Sequence, residues 1–313
     1  MRLVFLGTPR FAVPSLEKLV QAGHEVCAVF TQPDRPKGRG HQTALSPVKE
    51  AALRLGIPVH QPERVRRAES VELLKVLQAE VMVVVGYGQI IPQTIIDLPK
   101  HGILNVHGSL LPKYRGAAPI QWAVANGETV TGVTTMQIDA GLDTGDMLLK
   151  AETAIGPYEN AVELGGRLAI TGADLLIETL NRMEKGTLQA EKQNPEEATY
   201  APILKKEDGL VDWHSTASRI YNRSRGLLPW PGTYTTFRGQ LLHLWKVKPA
   251  IDIETGIPGS IGVRNRKLLV TCGGGSALEL LEVQLEGRKR IAADAFRNGQ
   301  HLMDSEILGE IKN

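Results

Sequence analysis

Val81-Met82-Val83-Val84-Val85-Gly86-Tyr87-Gly88 reads as one buried strand running into a sharp turn. Five consecutive apolar residues leave no polar face for water, which fits a central parallel strand covered on both sides. The glycines at 86 and 88 then let the backbone turn away. Toward the N-terminus the same grammar repeats. Residues 2–6 are apolar and end at Gly7-Thr8-Pro9. A periodic stretch from Phe11 to Val20 closes at Gly23, and Glu25–Phe30 reads as a second strand. A helix is expected from about Pro47 to Leu55 before Gly56, then a short strand opening at Val59 and a helix over Glu69–Gln78. Toward the C-terminus come a strand at Gly102–Val106, a helix at Ala118–Asn126, strands at Gly132–Ile138 and Met147–Leu149, and a long amphipathic helix from about Asn160 to Lys185. Strands alternating with helices predict an α/β fold over residues 1–186, a Rossmann-like, doubly wound, mostly parallel sheet.

Residues 187–208 are polar, lack sustained periodicity and read as a linker. Beyond them, over 209–313, the pattern changes. A short helix near Ala217–Arg225 precedes Leu-Pro-Trp-Pro-Gly, and strands are expected at Tyr234–Phe237, Leu241–Trp245, Gly259–Val263, Lys267–Thr271 and Leu278–Val283. Short strands separated by glycine turns suit a small OB-like β-barrel domain.

The chain of 313 residues is 42% hydrophobic and 22% charged, the balance of an ordinary globular protein. Its two cysteines, Cys27 and Cys272, supply neither a disulfide framework nor a metal cluster, which suggests a reducing, cytoplasmic setting. The N-terminal apolar run is too short for a signal peptide or a membrane span, and no later stretch is apolar enough to cross a bilayer. Net charge is +2, unevenly placed: residues 205–313 hold 16 basic and 12 acidic side chains, and residues 1–204 hold 20 and 22. A basic C-terminal third suits a polyanionic partner.

The chemistry concentrates at Asn105-Val106-His107-Gly108-Ser109-Leu110-Leu111-Pro112, which ends a predicted central strand. Asn105 and His107 are two residues apart, so on a strand they share a face. Ligands of open α/β sheets bind beyond the carboxyl ends of the strands, where this pair falls. The following strand ends in Asp139-Ala-Gly-Leu-Asp143-Thr-Gly-Asp146, three carboxylates in a glycine-rich turn. If the two strands are neighbours, one aspartate reaches His107, and a carboxylate beside an imidazole favours its protonated form and fixes its tautomer. Asx turns account for Asp139 and Asp146 equally well.

These motifs resemble the folate-dependent formyltransferase family, which shares an Asn-x-His pair, a Ser-Leu-Leu-Pro signature and a later aspartate. The resemblance implies Asn105, His107 and Asp143 as catalytic residues. It assigns Ser109, Leu110, Leu111 and Pro112 to folate, and has Gly86, Tyr87 and Gly88 border the pterin. Phe30-Thr-Gln-Pro-Asp-Arg-Pro36 with Gly38-Arg39-Gly40 is similar to the insertion of those members that act on methionyl-tRNA, implying RNA contacts from Arg35, Lys37 and Arg39. Residues 107–121 and 141–146 resemble the same subgroup. The implied reaction carries the formyl group of 10-formyltetrahydrofolate to the α-amino group of initiator methionyl-tRNA, with no metal, no membrane and a monomeric chain.

Other readings fare worse on the residues. The first turn, Gly7-Thr8-Pro9-Arg10-Phe11-Ala12, lacks the Gly-x-Gly-x-x-Gly of a dinucleotide-binding dehydrogenase. Ser109 has no Gly-x-Ser-x-Gly elbow around it. His107 and the aspartates have no zinc-site spacing. A non-catalytic RNA-binding module would have no use for Asn105, His107 and Asp143 together. Formyl transfer to glycinamide ribonucleotide or an amino sugar is the nearest rival, and the insertion and the basic second domain favour RNA over it.

Overall fold

The structure is a computed structural model that describes residues 1–37, 42–250, 256–302 and 306–309, with backbone alone at 35–37, 42 and 43. The chain forms two compact units. One comprises residues 1–119, 130–154 and 163–202; the other comprises 120–129, 155–162 and 203–313.

The first unit is built from β1 (Arg2–Gly7), α1 (Val13–Gln21), β2 (Glu25–Phe30), β3 (Arg35–Lys37), β4 (Gln42–Ala44), α2 (Pro47–Arg54), β5 (Val59–His60), α3 (Ala68–Leu77), β6 (Val81–Val85), α4 (Gln93–Ile96) and β7 (Ile103–His107). After α5 (Pro119–Ala125), which apart from Pro119 belongs to the second unit, it continues through β8 (Val130–Gln137), β9 (Met147–Ala154) and α6 (Ala161–Glu184), whose first two residues also belong to the second unit. Seven strands make one sheet in the order β5-β2-β1-β6-β7-β8-β9. β5 through β7 run parallel, whereas β8 is antiparallel to both β7 and β9. No helix separates β8 from β9, so their connection is a loop and the pair must reverse direction. That loop carries the aspartates.

Strand alternation sends Val4, Leu6, Met82 and Val84 to one face, where they pack with Leu74 and Ile95 of α3 and α4. Leu3, Phe5, Val83 and Val85 point the other way and are equally buried. Both faces are therefore covered, which is why these strands lack polar residues. On α6, Leu164, Leu168, Leu176 and Leu180 are buried four or eight residues apart, one stripe of a helix. Gly172 lets α6 approach β7 and β8 closely: a Cβ there would meet Val106 Cγ1 at 2.8 Å. α2 starts where Ser46 Oγ accepts from Lys49 N at 3.1 Å, with Pro47 in the first turn.

In the second unit α7 (Ala217–Gly226) is capped by Thr216 and precedes β10 (Thr233–Phe237), β11 (Gln240–Ala250), β12 (Ile261–Arg264), β13 (Lys267–Cys272), β14 (Ser276–Leu285), β15 (Ile291–Ala292) and α8 (Ala293–Gln300). The sheet is antiparallel in the order β10-β11-β14-β13-β12, with β15 beside β14. Among the described residues it stays open, with β10 and β12 at its ends. Its core holds Trp213, Phe237, Leu242, Val270, Leu280 and Phe296. Phe237 meets Phe296 edge-on at 5.2 Å between ring centroids, and Trp213 Nε1 donates to Thr235 Oγ1 at 3.1 Å. Among the described residues no helix is long and apolar enough to cross a membrane.

Candidate active site

The neighbours of β1 explain where a ligand belongs. The chain leaves β1 for β2 on one side and later places β6 on the other, so the order reverses between β1 and β6. A crevice opens beyond strand ends at such a switch point. Thr8, the turn Gly86–Gly88 and the end of β7 lie along this edge.

Asn105 and His107 close β7 on one face, and both are buried. The β8–β9 loop brings Asp143 to them. Asn105 Nδ2 donates to Asp143 Oδ1 at 3.3 Å, and His107 Nδ1 lies 3.7 Å from Asp143 Oδ2. Asp143 Oδ2 also accepts from Gly116 N at 2.8 Å. The far side of the imidazole is committed: His107 Nε2 sits 2.9 Å from the carbonyl of Tyr114. A carbonyl only accepts, so Nε2 carries the hydrogen. Nδ1 is then the ring nitrogen that faces Asp143. Asp139 turns inward on its own loop, accepting from Gly141 N at 3.0 Å and Thr144 Oγ1 at 2.8 Å, an Asx-type turn.

The residues expected to meet folate divide into scaffold and surface. Ser109 is fully buried; its hydroxyl donates to Lys113 O at 2.6 Å and its carbonyl accepts from Thr134 Oγ1 at 2.7 Å. Leu111 is buried with Met136 and Met147, and its bond to Pro112 is cis. Leu110 is half-buried. Tyr87 packs into the core with Phe30 and Ile95, so its ring does not face the crevice, and burial raises its phenol above the ordinary range. Gly86 and Gly88, in contrast, are exposed and adopt φ of +58° and +81°. Ile90 beside them is 89% exposed. Exposed peptide groups next to an uncovered apolar side chain suit a flat heteroaromatic ring that needs both hydrogen bonds and an apolar face. Among the described residues no group of three or more His, Cys, Asp or Glu is placed to hold a metal ion.

The insertion forms the two-stranded pair β3–β4, with Arg35 opposite Ala44 and Lys37 opposite Gln42; Arg39 lies outside the described residues. Its base is fastened to Lys49 and Gln61, which the sequence did not single out. Lys49 Nζ pairs with Asp34 and donates to Gln61 Oε1 at 2.6 Å. Gln61 Nε2 donates to Asp34 Oδ1 at 2.8 Å and to Gln32 O at 2.9 Å. Gln32 Nε2 in turn donates to the carbonyl of Tyr87 at 3.1 Å. These bonds from Lys49 and Gln61 hold the Asp34 carboxyl below its usual range. Arg115, Gln193 and Thr199 were likewise missed. Tyr114 N donates to Thr199 Oγ1 at 2.8 Å, and Arg115 N donates to Thr199 O at 2.8 Å. Only the proximity of Arg115 to the Ser-Leu-Leu-Pro run could have flagged it; nothing in the sequence marks Gln193.

Residues 1–180 match the family model described as formyl transferase, and residues 203–301 match the formyl transferase C-terminal domain. The methionyl-tRNA formyltransferase of Solibacter usitatus is 65% identical over 310 residues, covering 99% of this chain and 99% of that protein. The methionyl-tRNA formyltransferase of Koribacter versatilis is 56% identical, with 100% of each chain covered. Among solved structures, the N-formyltransferase from Helicobacter canadensis in complex with folinic acid and dTDP-3-aminofucose superposes with a TM-score of 0.64 at 18% identity, covering 89% of this chain and 98% of that one. HypX from Aquifex aeolicus in complex with tetrahydrofolic acid gives a TM-score of 0.63 at 16% identity; 95% of this chain is covered and it spans about half, 47%, of HypX. These two likenesses are of fold.

Proposed function

This chain belongs to the formyl transferase family, and from that premise we propose that it moves the formyl group of 10-formyltetrahydrofolate to the α-amino group of initiator methionyl-tRNA. The observation that carries the chemistry is the convergence of Asn105, His107 and Asp143 at the mouth of β7, with contacts of 3.3 and 3.7 Å. An α-amine has a pKa near 8, so a neutral, nucleophilic fraction is present at neutral pH. As its nitrogen bonds to the formyl carbon, the carbonyl π electrons move onto oxygen. Asn105 Nδ2 and protonated His107 Nδ1 donate to that oxygen. The Asp143 carboxylate takes the proton leaving the amine and returns a proton to N10 as the old C–N bond breaks. The carbonyl reforms, giving formylmethionyl-tRNA and tetrahydrofolate. The Tyr114 carbonyl, 2.9 Å from Nε2, holds the ring so that Nδ1 faces the reacting oxygen.

Backbone at Gly86 and Gly88 and the Ser109–Pro112 turn border the donor. Arg35, Lys37 and Arg39 meet phosphates near the acceptor end, and the basic C-terminal third, residues 205–313, whose open sheet we read as OB-like, holds the stem. The chain acts as a monomer in the cytoplasm, where charged tRNA and folate are met. The resemblance of the catalytic half and the insertion over full-length relatives supports RNA over an amino sugar. Incubation with methionyl-tRNA and 10-formyltetrahydrofolate is expected to yield formylmethionyl-tRNA. Formylation of glycinamide ribonucleotide or an amino sugar, with none of the tRNA, overturns the assignment.

A further inference from the structure

We propose that Gln193 is a positioning residue for Asp143, acting with Arg115 to hold the aspartate loop in its reactive shape; this rests on the formyl-transfer reading above. Gln193 is buried and belongs to none of the motifs. Its Oε1 accepts from Arg115 Nε at 3.0 Å and from Arg115 Nη2 at 2.8 Å. A guanidinium only donates, so the oxygen of the amide must face it and the NH2 must face the other way. That NH2 donates to the carbonyls of Asp143 and Gly145, each at 2.8 Å. The amide orientation is therefore fixed by chemistry at both ends.

The loop it grips is not relaxed. Asp143 adopts φ of +51°, a left-handed conformation that costs a non-glycine residue energy and persists only where its surroundings impose it. Gly145 is pressed against β8, since a Cβ there would lie 2.0 Å from Gln137 O. The loop is thus held by β8 on one side and Gln193 on the other. Arg115 is itself fixed, donating through its backbone to Thr199 O at 2.8 Å and accepting from Ala201 N at 2.7 Å. A neutral amide serves here where a carboxylate would not. Glutamate would still pair with Arg115 but would set its second oxygen against two carbonyls.

Gln193→Met and Gln193→Glu test this. Both are expected to lower kcat about 10- to 100-fold, while KM for methionyl-tRNA and for the folate stays within about threefold, because misplacement of a reacting group acts on the chemical step. Gln193→Glu should be no more active than Gln193→Met. On an Asp143→Ala background, Gln193→Met should cost little more, because a residue acting through Asp143 has nothing left to position. Hydrogen exchange across residues 139–146 reads the same point without substrate, and Gln193→Met is expected to speed it about tenfold or more. Full kcat in a folded Gln193→Met protein, an undiminished loss on the Asp143→Ala background, or unchanged exchange would overturn the proposal. Absence of formylation by the unaltered protein, with faster exchange in Gln193→Met, would instead overturn the reaction assigned to the site and leave the loop-holding role standing.

Discussion

The loops around Asp143 and the insertion between Gln32 and Ser46 are both largely outside the main sheet, yet they are held differently. The first is cross-braced by two stretches of chain far apart in sequence, residues 105–118 and residues 191–201, which grip it from different directions. The second is one continuous excursion, fastened where it leaves the body by Asp34, Lys49 and Gln61. The difference follows from what each must meet. A formyl carbon needs donors placed to a fraction of an ångström, and only bracing from several directions supplies that. A phosphate chain is met by charge, which falls off gently with distance and tolerates displacement.

If that division holds, damage to the two regions should separate cleanly in kinetics. The largest effect is expected from Asn105→Ala, which removes a donor to the oxyanion: kcat should fall by about two to three orders of magnitude, with RNA affinity retained in a filter-binding assay. Gly116→Ala comes next. Its φ is +116° and an added Cβ would lie 2.7 Å from Ala201 O, so the amide that donates to Asp143 must move. A kcat loss of about 10- to 100-fold at unchanged KM for RNA is expected in steady-state assays; a rise in that KM instead would blur the distinction. Neutralising Arg35, Lys37 and Arg39 together should leave kcat at saturating RNA alone. It should raise KM for RNA about tenfold, and the log–log salt dependence of binding should flatten by about one for each phosphate no longer neutralised. The smallest effect concerns the fastening itself. The bonds from Lys49 and Gln61 hold the Asp34 carboxyl below its unfolded value, so its contribution to stability is full above the unfolded pKa and lost as pH falls through the folded one. The difference in Tm between the unaltered protein and Asp34→Asn should therefore shrink on acidification, which scanning calorimetry at several pH values measures. A gap that widened would mean the carboxylate is not held by this pairing.

Much of the first unit was legible because its signals are local. Val81–Val85, the glycines at 23, 56, 127 and 186, and the apolar stripe of α6 each announce one element within a few residues. The Asn105/His107 pair was legible for the same reason, since two residues on a strand share a face. The reversal at β8 was not, because strand direction depends on which neighbour a strand pairs with, and periodicity does not encode pairing. β9 runs to Ala154 where the sequence suggested Leu149: its outer half alternates half-buried and exposed residues around Lys150 and Glu152 and so lacks an apolar run. α8 and β15 escaped notice because Ile291–Gln300 is short and has only two large apolar side chains, Ile291 and Phe296. Gln193 and Gln61 escaped for a different reason. A glutamine is commonplace in a sequence, and it gains meaning only when burial forces its amide to choose partners.

The stretch from Thr187 to Pro202 has a consequence for how this chain can be divided. Read as a connector, it invites a cut after Gly186. Such a fragment would retain Asn105, His107 and Asp143 and would forfeit Gln193, Thr199 and Ala201, the groups that grip Asp143, Tyr114 and Arg115. A piece that keeps these grips has to run at least to Ala201. Any recombination of such enzymes, natural or deliberate, that joins two parents upstream of that residue pairs one parent's aspartate loop with the other's brace.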